Sequence, residues 1–342
     1  MFLKNSWYVF GWSDELKENE KLVGRVIIEM PVVVWRNPQG RLMAAEDRCP
    51  HRHAPLSFGR VEGDNIRCMY HGMAFNKNGE CVDVPMVDKP PKCSIRMFPV
   101  IEKNDWIWVW MGDPKLADEA FIPDAWGVND PNKAMRYNSI EYDAHYQLVH
   151  DNLCDLSHVD FVHEKTLRPA TGAYWAETLP VVAPQSRAVR FERWFENAQM
   201  PSDASVKVDT WSTYEFVVPG IFILYGARFP AGTAKKCDYK APSKDIKPIF
   251  ENIEQQAVTP ISATKTAYHY ATGLIFPAKD VTKEIEARMD VVMKTFEEDR
   301  QIIEAQQKIW HLTDPSIKKQ FLPQDQGPSI MRRLMDRLMK EE

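Results

Sequence analysis

At positions 49–51 the chain reads Cys49-Pro-His51, and at positions 68–71 it reads Cys68-Met-Tyr-His71. Sixteen residues separate the first histidine from the second cysteine. Each pair is followed by a short stretch with the composition of a loop, residues 52–56 after the first and residues 72–75 after the second. Four potential metal ligands are therefore expected in two loops, with one thiol and one imidazole in each.

This arrangement is what a Rieske [2Fe–2S] cluster requires, because one iron binds two thiolates and the other binds two imidazoles. Neutral imidazoles remove negative charge from the cluster and raise its reduction potential. A structural zinc site is the alternative, since two cysteines and two histidines also bind zinc tetrahedrally. Zinc-finger spacing keeps cysteine with cysteine and histidine with histidine, whereas each pair here mixes the two types. The spacing therefore predicts a cluster held by Cys49, His51, Cys68 and His71.

Length and composition limit the classes of protein to which the chain can belong. Its 342 residues are long for one domain and sufficient for two. The net charge of −5 gives no argument for binding nucleic acid or an anionic membrane. No stretch approaches the about 20 apolar residues of a membrane-spanning helix, and the start of the chain lacks the features of a signal peptide. Six cysteines do not make a disulfide framework in a chain of this size, so we expect a cytoplasmic protein.

The residue pattern divides the chain into a β-rich first part and a mixed second part. Asn37-Pro-Gln-Gly40 and Asn76-Lys-Asn-Gly79 are turn signals between short β-branched runs, and Trp106–Trp110 predicts the last strand of this part. We therefore predict a first domain at 1–118 and a second at 119–342, with a linker at 122–132. The predicted elements of the second domain are a helix near 145–160, strand-like segments at 209–225 and 264–273, a loop at 231–247 and a long helix near 282–310.

A second group of potential metal ligands lies in the predicted helix near 145–160. Two histidines and one carboxylate bind non-haem Fe(II) on one face and leave positions open for O₂ and substrate. Residues three apart share a helix face, so one helix would align Asn152, Asp155 and His158. His163 follows five residues later, about 140° around a straight helix. The helix must therefore end or bulge between the two histidines if both bind the metal; the alternative is that both are ordinary histidines.

The third ligand should be a carboxylate distant in sequence, and the helix near 282–310 offers Glu297, Glu298 and Asp299. Its apolar residues recur at helical spacing and define a buried stripe that comprises Met289, Val292, Phe296 and Ile303. Asp299 lies about 60° from Phe296, whereas Glu297 and Glu298 lie about 100° and 200° away. Because a buried carboxylate is costly unless it is paired or binds metal, Asp299 is the predicted ligand. A buried salt bridge is the alternative.

Taken with these sites, the sequence resembles the Rieske non-haem iron oxygenases, in particular the homo-oligomeric branch typified by the oxygenase components of vanillate O-demethylase and dicamba O-demethylase. The resemblance runs nearly from end to end and also includes Asn5-Ser-Trp-Tyr-Val9, Trp108-Val-Trp110 and Glu298-Asp-Arg300. It implies an α+β fold in which an antiparallel β Rieske domain precedes a helix-grip (START-like) catalytic domain. It further implies a head-to-tail homotrimer and a separate flavin/[2Fe–2S] reductase, or a ferredoxin with a reductase, supplied by NADH or NADPH.

The resemblance also implies roles for particular residues. His158, His163 and Asp299 would bind the mononuclear iron, and Asn152 matches a residue near the iron that is not usually a strong ligand. The carboxylate of Asp155 would bridge the two metal sites, with hydrogen bonds to His158 and, across a subunit interface, to the cluster ligand His71.

The implied activity is monooxygenation of an aromatic substrate with O₂ as co-substrate, by O-demethylation or N-dealkylation with release of an aldehyde. A ring-hydroxylating or ring-dihydroxylating oxygenase is one alternative, and a non-catalytic Rieske electron carrier is another. The sequence does not identify the aromatic compound or the residues that line its pocket. Two arginines in the second domain, Arg168 and Arg228, carry no signal that separates them from surface residues.

Overall fold

The computed structural model describes residues 1–125, 133–200, 203–275 and 281–342, which divide into two units. The first unit comprises Met1–Asp124 with Thr259–Ser262 and Glu342, and the second comprises Ala125–Val258 with Ala263–Glu341. The sequence-based boundary between residues 118 and 119 stays a prediction, and most of the predicted linker lies outside the described residues. No helix within the described ranges is both long and apolar enough to cross a membrane.

The first unit consists of short antiparallel strands, as the β-branched runs predicted. Its strands are β1 (Trp7–Trp12), β2 (Val23–Ile27), β3 (Met30–Arg36), β4 (Leu42–Glu46), β5 (Arg60–Glu62), β6 (Asn65–Arg67), β7 (Ala74–Phe75), β8 (Cys81–Asp83), β9 (Val100–Lys103) and β10 (Trp106–Trp110). Single 3₁₀ turns lie at Ser13–Leu16, Leu56–Phe58, Pro114–Leu116 and Glu119–Phe121. In this described part the strands form three sheets with the orders β1-β10-β9, β2-β3-β4 and β5-β6-β7-β8.

Two of the connections in this unit are encoded by their own residues. Asn37–Gly40 links β3 to β4, and Asn76–Gly79 links β7 to β8. In each turn the side-chain oxygen of the leading asparagine accepts hydrogen bonds from two main-chain N–H groups. Each turn ends on a glycine with positive φ, 78° at Gly40 and 83° at Gly79, a conformation that other residues adopt only with strain. Both predicted turns are therefore confirmed.

The second unit is one large antiparallel sheet covered by helices. Its strands are β11 (Lys133–Tyr142), β12 (Val181–Pro184), β13 (Ala188–Met200), β14 (Asp203–Val217), β15 (Ile221–Pro230), β16 (Phe250–Ser262) and β17 (Lys265–Ile275). Its helices are α1 (Tyr146–Cys154), α2 (Leu167–Thr171), α3 (Thr233–Lys236), α4 (Thr282–Leu312) and α5 (Gln326–Glu341), with 3₁₀ turns at Leu156–Asp160 and Pro323–Asp325. The described strands form a sheet of order β11-β17-β16-β15-β14-β13-β12. The long helix α4 packs against β11 and β17, and α5 packs against β12 and β13. The predicted α+β fold class is confirmed.

The structure differs from the sequence-based elements at two places in this unit. The strand-like segment 209–225 is wrong as one strand, because it contains the end of β14, a turn and the start of β15. Pro219 in that turn has no N–H group for a sheet hydrogen bond, and a side chain at Gly220 would come within 2.6 Å of the His150 imidazole. The predicted helix near 145–160 ends earlier, at Cys154. The predicted loop at 231–247 is irregular apart from α3.

Both cluster-ligand cysteines predicted from the sequence pack on a small core within the first unit. Cys49 and Cys68 are each 2% exposed, and Phe75 in β7 is fully buried in the same cluster of side chains. Its other buried members are Val33, Trp35, Ala45, Leu56, Ile66, Met73 and Ile95. The two ligand loops therefore rest on an apolar floor to which the two cysteines themselves belong.

We expect Phe75→Ala to lower the free energy of unfolding of the first unit by about 3–5 kcal/mol, because it leaves a cavity beneath the ligand loops. Phe58→Ala is the matched control: Phe58 is 80% exposed, and its loss should change stability by less than about 0.5 kcal/mol. Urea denaturation followed by the loss of cluster absorbance measures both. Equal effects of the two changes would contradict the packing role given to Phe75.

Candidate metal centres and substrate cavity

The two ligand loops of the first unit repeat one main-chain hydrogen-bond pattern. Cys49 N–H donates to the carbonyl of Ala54, and the Cys49 carbonyl accepts from His53 N–H. In the second loop, Cys68 N–H donates to the carbonyl of Met73, and the Cys68 carbonyl accepts from the N–H of Gly72. The two hydrogen bonds have the same spacing from the cysteine in both loops, although His51 follows its cysteine by two residues and His71 by three.

The thiols and the imidazoles of this site differ in exposure. Cys49 and Cys68 are buried with their thiols in contact, and His51 and His71 are exposed. The two imidazole rings lie with their centroids 4.5 Å apart. Burial raises the pKa of the Cys49 thiol to about 11, so binding of a metal there must displace a proton. The structure thus brings the four predicted ligands together as two buried sulfurs and two outer nitrogens, the donor set of a Rieske cluster.

In the second unit, the end of α1 determines where the two candidate iron-binding histidines lie. The helix stops at Cys154, and a 3₁₀ turn at Leu156–Asp160 follows. The Asp155 carboxylate accepts a hydrogen bond from Ser157 N–H and caps this turn. The helix was expected to end or bulge between the two histidines; α1 instead ends before both of them, and it is the 3₁₀ turn that ends between His158 and His163. The expectation that one helix face carries Asn152, Asp155 and His158 is wrong, because the change of helix type comes between them.

Three of the predicted ligands meet at one point. One ligand atom each from His158, His163 and Asp299 lies within 4.8 Å of the other two. Asp299 Oδ1 is 3.2 Å from His163 Nε2 and 3.6 Å from His158 Nε2. His163 and Asp299 are 1% and 4% exposed, so the site is almost closed to solvent on their side. Two imidazoles and a carboxylate at these distances form the donor set of a facial triad.

Asn152 lies in contact with the triad. Its side-chain amide donates to Asp299 Oδ1 at 2.9 Å and lies 3.4 Å from His158 Nε2. The amide is therefore close enough to orient the Asp299 carboxylate. This placement agrees with the role of a residue near the iron that was expected from the resemblance.

Asp155 contacts His158 in a different way from the one expected. His158 Nδ1 lies 2.6 Å from the main-chain carbonyl of Asp155, not from its carboxylate. The Asp155 carboxylate instead holds the start of the 3₁₀ turn. Because the carbonyl can only accept, His158 carries its proton on Nδ1 and presents Nε2 to the triad.

Glu298 is a site residue that sequence reasoning placed on the polar side of α4. Its carboxylate lies 2.8 Å from His163 Nδ1 and also accepts a hydrogen bond from the Thr166 hydroxyl at 2.6 Å. Burial lowers the pKa of His163, but contacts with Asp299 and Glu298 outweigh burial and leave that pKa above its ordinary value. A carboxylate on the second nitrogen of a metal-binding imidazole fixes its orientation and raises its basicity. Glu298 therefore positions His163.

A cavity of about 120 Å³ opens beside the triad within the second unit. Its wall is mainly apolar and includes Leu153, Leu156, Val159, Trp175, Phe222, Leu224, Val292 and Phe296. The polar lining away from the triad includes Thr210, Ser212, Arg228, Asn252, Glu254, Gln256 and Arg288. The two arginines that the sequence could not separate now differ: Arg228 lines the cavity, whereas Arg168 lies outside it over the ring of Tyr174.

We expect Glu298→Gln to weaken Fe(II) binding by the second unit about 10- to 100-fold, because His163 loses the carboxylate that orients it. Glu297→Gln is the control on the same helix, since the Glu297 side chain is 41% exposed and pairs with Arg300. Anaerobic titration of iron-depleted protein with Fe(II) measures both affinities while the cluster absorbance reports folding of the first unit. Equal affinities for the Glu298 variant and the unmodified protein would contradict the positioning role.

Comparison with known proteins accounts for both halves of the chain. Residues 6–99 match the family model of the Rieske [2Fe-2S] domain, and residues 142–341 match that of the vanillate O-demethylase oxygenase C-terminal domain. The chain is 34% identical, over 100% of its length and 98% of the relative, to the toluene-4-sulfonate monooxygenase system iron-sulfur subunit of Comamonas testosteroni. It is 30% identical, over 100% of its length and 96% of the relative, to the vanillate O-demethylase oxygenase subunit of a Pseudomonas species.

A solved structure agrees with these matches. The chain is similar to the crystal structure of dicamba monooxygenase bound to dicamba, with a TM-score of 0.81 and 25% sequence identity. The alignment covers 99% of this chain and 98% of the dicamba monooxygenase chain. The resemblance drawn from the motifs is thereby confirmed, together with its two cofactors, a Rieske [2Fe–2S] cluster and a non-haem iron. The chain belongs to the Rieske non-haem iron oxygenases whose catalytic domain is the vanillate O-demethylase oxygenase C-terminal domain.

Proposed function

We propose that the protein is the terminal oxygenase of a Rieske monooxygenase system and hydroxylates an alkyl carbon bound to oxygen or nitrogen on an aromatic substrate. The observation that carries this proposal is the apolar cavity beside two histidines and a carboxylate. An apolar cavity of about 150 Å³ can take up benzene. The cavity here, at about 120 Å³, suits a substrate with a single ring.

The proposal assigns each metal group to the residues whose donor atoms suit it. Cys49, His51, Cys68 and His71 would hold the cluster, and His158, His163 and Asp299 would hold the iron. When bound, the cluster supplies electrons, and the iron supplies a site with open positions for O₂ and substrate. Glu298 keeps Nε2 of His163 turned toward Asp299 through its contact with Nδ1. The apolar wall removes water from the substrate.

The overall reaction is the monooxygenation of an alkyl carbon, followed by breakdown of its product. One oxygen atom of O₂ enters a C–H bond, the other leaves as water, and two electrons and two protons are consumed. Hydroxylation of an O-methyl carbon gives a hemiacetal, and hydroxylation of an N-alkyl carbon gives a carbinolamine. Either product breaks its C–O or C–N bond and releases an aldehyde, which is formaldehyde for a methyl group. A separate reductase supplies the electrons, and a cytoplasmic location is part of the proposal because that reductase would draw on NADH or NADPH.

A head-to-tail homotrimer and the bridging role of Asp155 are also part of the proposal. The role is supported by the exposure of the His71 imidazole and by the contact between His158 and the main chain of Asp155. A carboxylate at this position could accept a hydrogen bond from His71 of a neighbouring subunit. Asp155 would then join an imidazole of one cluster to the iron site of the next chain through a short path of hydrogen bonds.

The alternatives differ from this proposal in products and in metal content. A ring-dihydroxylating enzyme would form a cis-diol and no aldehyde. A Rieske electron carrier would have no use for the triad and cavity of the second unit. The matched catalytic domain favours an enzyme over a carrier.

We expect about three irons and about two acid-labile sulfides per chain in protein purified without oxygen, because a Rieske cluster contains two of each and the triad adds one iron. The reduced protein should show the electron paramagnetic resonance signal of a Rieske cluster. With a reductase, NADH and methoxy- or N-alkyl-aromatic compounds, formaldehyde should form in proportion to the phenol or amine product.

Three further results would decide against the proposal. Two irons per chain that do not increase on addition of Fe(II) would favour the electron carrier. A cis-diol without formaldehyde would favour ring dihydroxylation, and zinc without sulfide would overturn the cluster assignment.

Asp155→Asn should leave both metals bound but abolish turnover coupled to the reductase. Asparagine can still cap the 3₁₀ turn through its side-chain oxygen, and the main-chain contact with His158 is unchanged, so the fold should persist. The negative charge that would accept a hydrogen bond from His71 of a neighbouring subunit is lost. Metal analysis with single-turnover rates of the pre-reduced enzyme measures the effect, and Asp143→Asn, at an exposed position, is the control. Normal coupled turnover in a fully metallated Asp155→Asn enzyme would remove Asp155 from the electron path.

A further inference from the structure

The polar end of the substrate cavity is built by neighbouring strands of the large sheet. Alternate residues of a strand face the same side, and on β15 the residues that line the cavity are Phe222, Leu224, Gly226 and Arg228. Arg228 is paired in register with Thr210 of β14 and with Phe250 of β16. The cavity wall therefore changes along β15 from apolar to cationic.

Arg228 is a buried cation in this wall. The residue is 9% exposed, and its guanidinium lies 4.6 Å from the centre of the Phe250 ring. Burial, followed by the charge of Arg288, lowers the pKa of Arg228 to about 10, so the group still carries its charge near pH 7. A charge in an apolar wall is costly unless a charge of opposite sign comes close to it.

The remaining charges of the lining are arranged around a second arginine. Arg288 on α4 forms an ion pair with Glu254 of β16, and Glu254 also accepts a hydrogen bond from the Thr272 hydroxyl at 2.9 Å. Among the described lining residues outside the metal triad there are thus two guanidinium groups and one carboxylate, and that carboxylate is engaged by Arg288. Arg228 has further contacts of its own in the chain. The charge that the described part of the lining presents at this end of the cavity is positive.

Two hydroxyl groups lie on the strand next to Arg228. Thr210 is directly opposite Arg228, and Ser212 is directly opposite Gly226. The oxygen atoms of both hydroxyls are buried, and neither has a hydrogen-bond partner among the described residues. The hydroxyls can donate hydrogen bonds to an acceptor in the cavity. At Gly226 a side chain would come within 2.7 Å of the Asn252 amide oxygen, so the glycine lets the Asn252 amide lie against β15 in this part of the lining.

Helix α4 gives the separation between this end of the cavity and the triad. Arg288 and Asp299 lie on the same side of the helix, with Val292 and Phe296 between them in the cavity wall. Eleven residues at about 1.5 Å each place the two Cα atoms about 16 Å apart along the axis. The arginine side chains and the metal ligands shorten this gap from both ends. An aromatic ring between them would have one substituent near the triad and another near the arginines.

We propose that the substrate carries an acidic group, a carboxylate or a sulfonate, and that Arg228 binds this anion with the help of the Thr210 and Ser212 hydroxyls. This inference rests on the proposed function, because it takes the cavity beside the triad to be the substrate site. Binding of the anion fixes the ring so that a substituent at its far side meets the triad. Arg228 is then a specificity-determining residue of the enzyme.

The test compares acids with neutral compounds of the same shape. The probes are 3- and 4-methoxybenzoate with the corresponding benzamides, and 4-methoxybenzenesulfonate with the corresponding sulfonamide. Isothermal titration of the anaerobic holoenzyme measures their affinities without any need for turnover. We expect the acids to bind more tightly than the neutral compounds, and Arg228→Gln to lower the affinity for acids about 10- to 100-fold while leaving the neutral compounds unaffected.

Matched variants separate recognition of charge from packing. Arg168→Gln removes an arginine outside the cavity and should change none of the affinities. Arg228→Lys keeps the charge and should retain part of the preference for acids. If Arg228→Gln does not fold, the double variant Thr210→Val with Ser212→Ala serves as the test. It should lower the affinity for the acids and leave the affinity for the neutral compounds unchanged.

The outcomes distinguish this inference from the proposed function. Acids that bind in an Arg228-dependent manner, but give no aldehyde, would support the anion site and contradict the demethylation. Formaldehyde from neutral ethers, with no preference for acids, would overturn the anion site and leave the demethylation standing. An equal loss of affinity for acids and for neutral compounds in Arg228→Gln would also overturn the anion site. So would the absence of detectable binding of any acid to the unmodified enzyme.

Discussion

A carboxylate on the buried face of a helix is the constraint on which the second unit depends. Asp299 is 4% exposed and lies in the 31-residue helix α4, where an ionised group without compensation would be strongly unfavourable. Compensation comes from groups more than 130 residues earlier in the chain, such as the Asn152 amide and the His163 imidazole. The end of α1, the 3₁₀ turn after it and the position of α4 on the sheet all serve to bring these groups to one carboxylate.

Helix α4 also forms part of the cavity wall, and its residue Arg288 supplies one of the charges at the polar end of the cavity. Because Asp299, Phe296, Val292 and Arg288 share one side of α4, the distance between the triad and the polar end is fixed by helix geometry. Sites built on regular elements hold their geometry more closely than sites built on loops. The metal position and the substrate position are therefore two properties of one rigid element.

The sequence was sufficient to predict site residues where the chemistry of the site restricts which residue types can serve. Mixed Cys/His pairs fit few metal groups, and the apolar period of α4 separated Asp299 from its neighbours. It was insufficient where contacts depend on packing between distant segments. Glu298 lies about 100° around the helix from Asp299, yet the His163 imidazole reaches both, with Nδ1 near one and Nε2 near the other. The helical period cannot show that a segment 135 residues earlier passes over that side of α4.

Arg228 was indistinguishable in the sequence for a related reason. Its function depends on register with Thr210 and on the face of β15 that meets the cavity, and both follow from strand pairing rather than from local pattern. Once that pairing is known, the cavity has a cation at one end and a candidate iron site at the other. A bound acid group would determine which ring position reaches the triad, because the ring is rigid. The selectivity of such an enzyme would then lie in the spacing between acid and alkyl group, more than in the shape of the apolar wall.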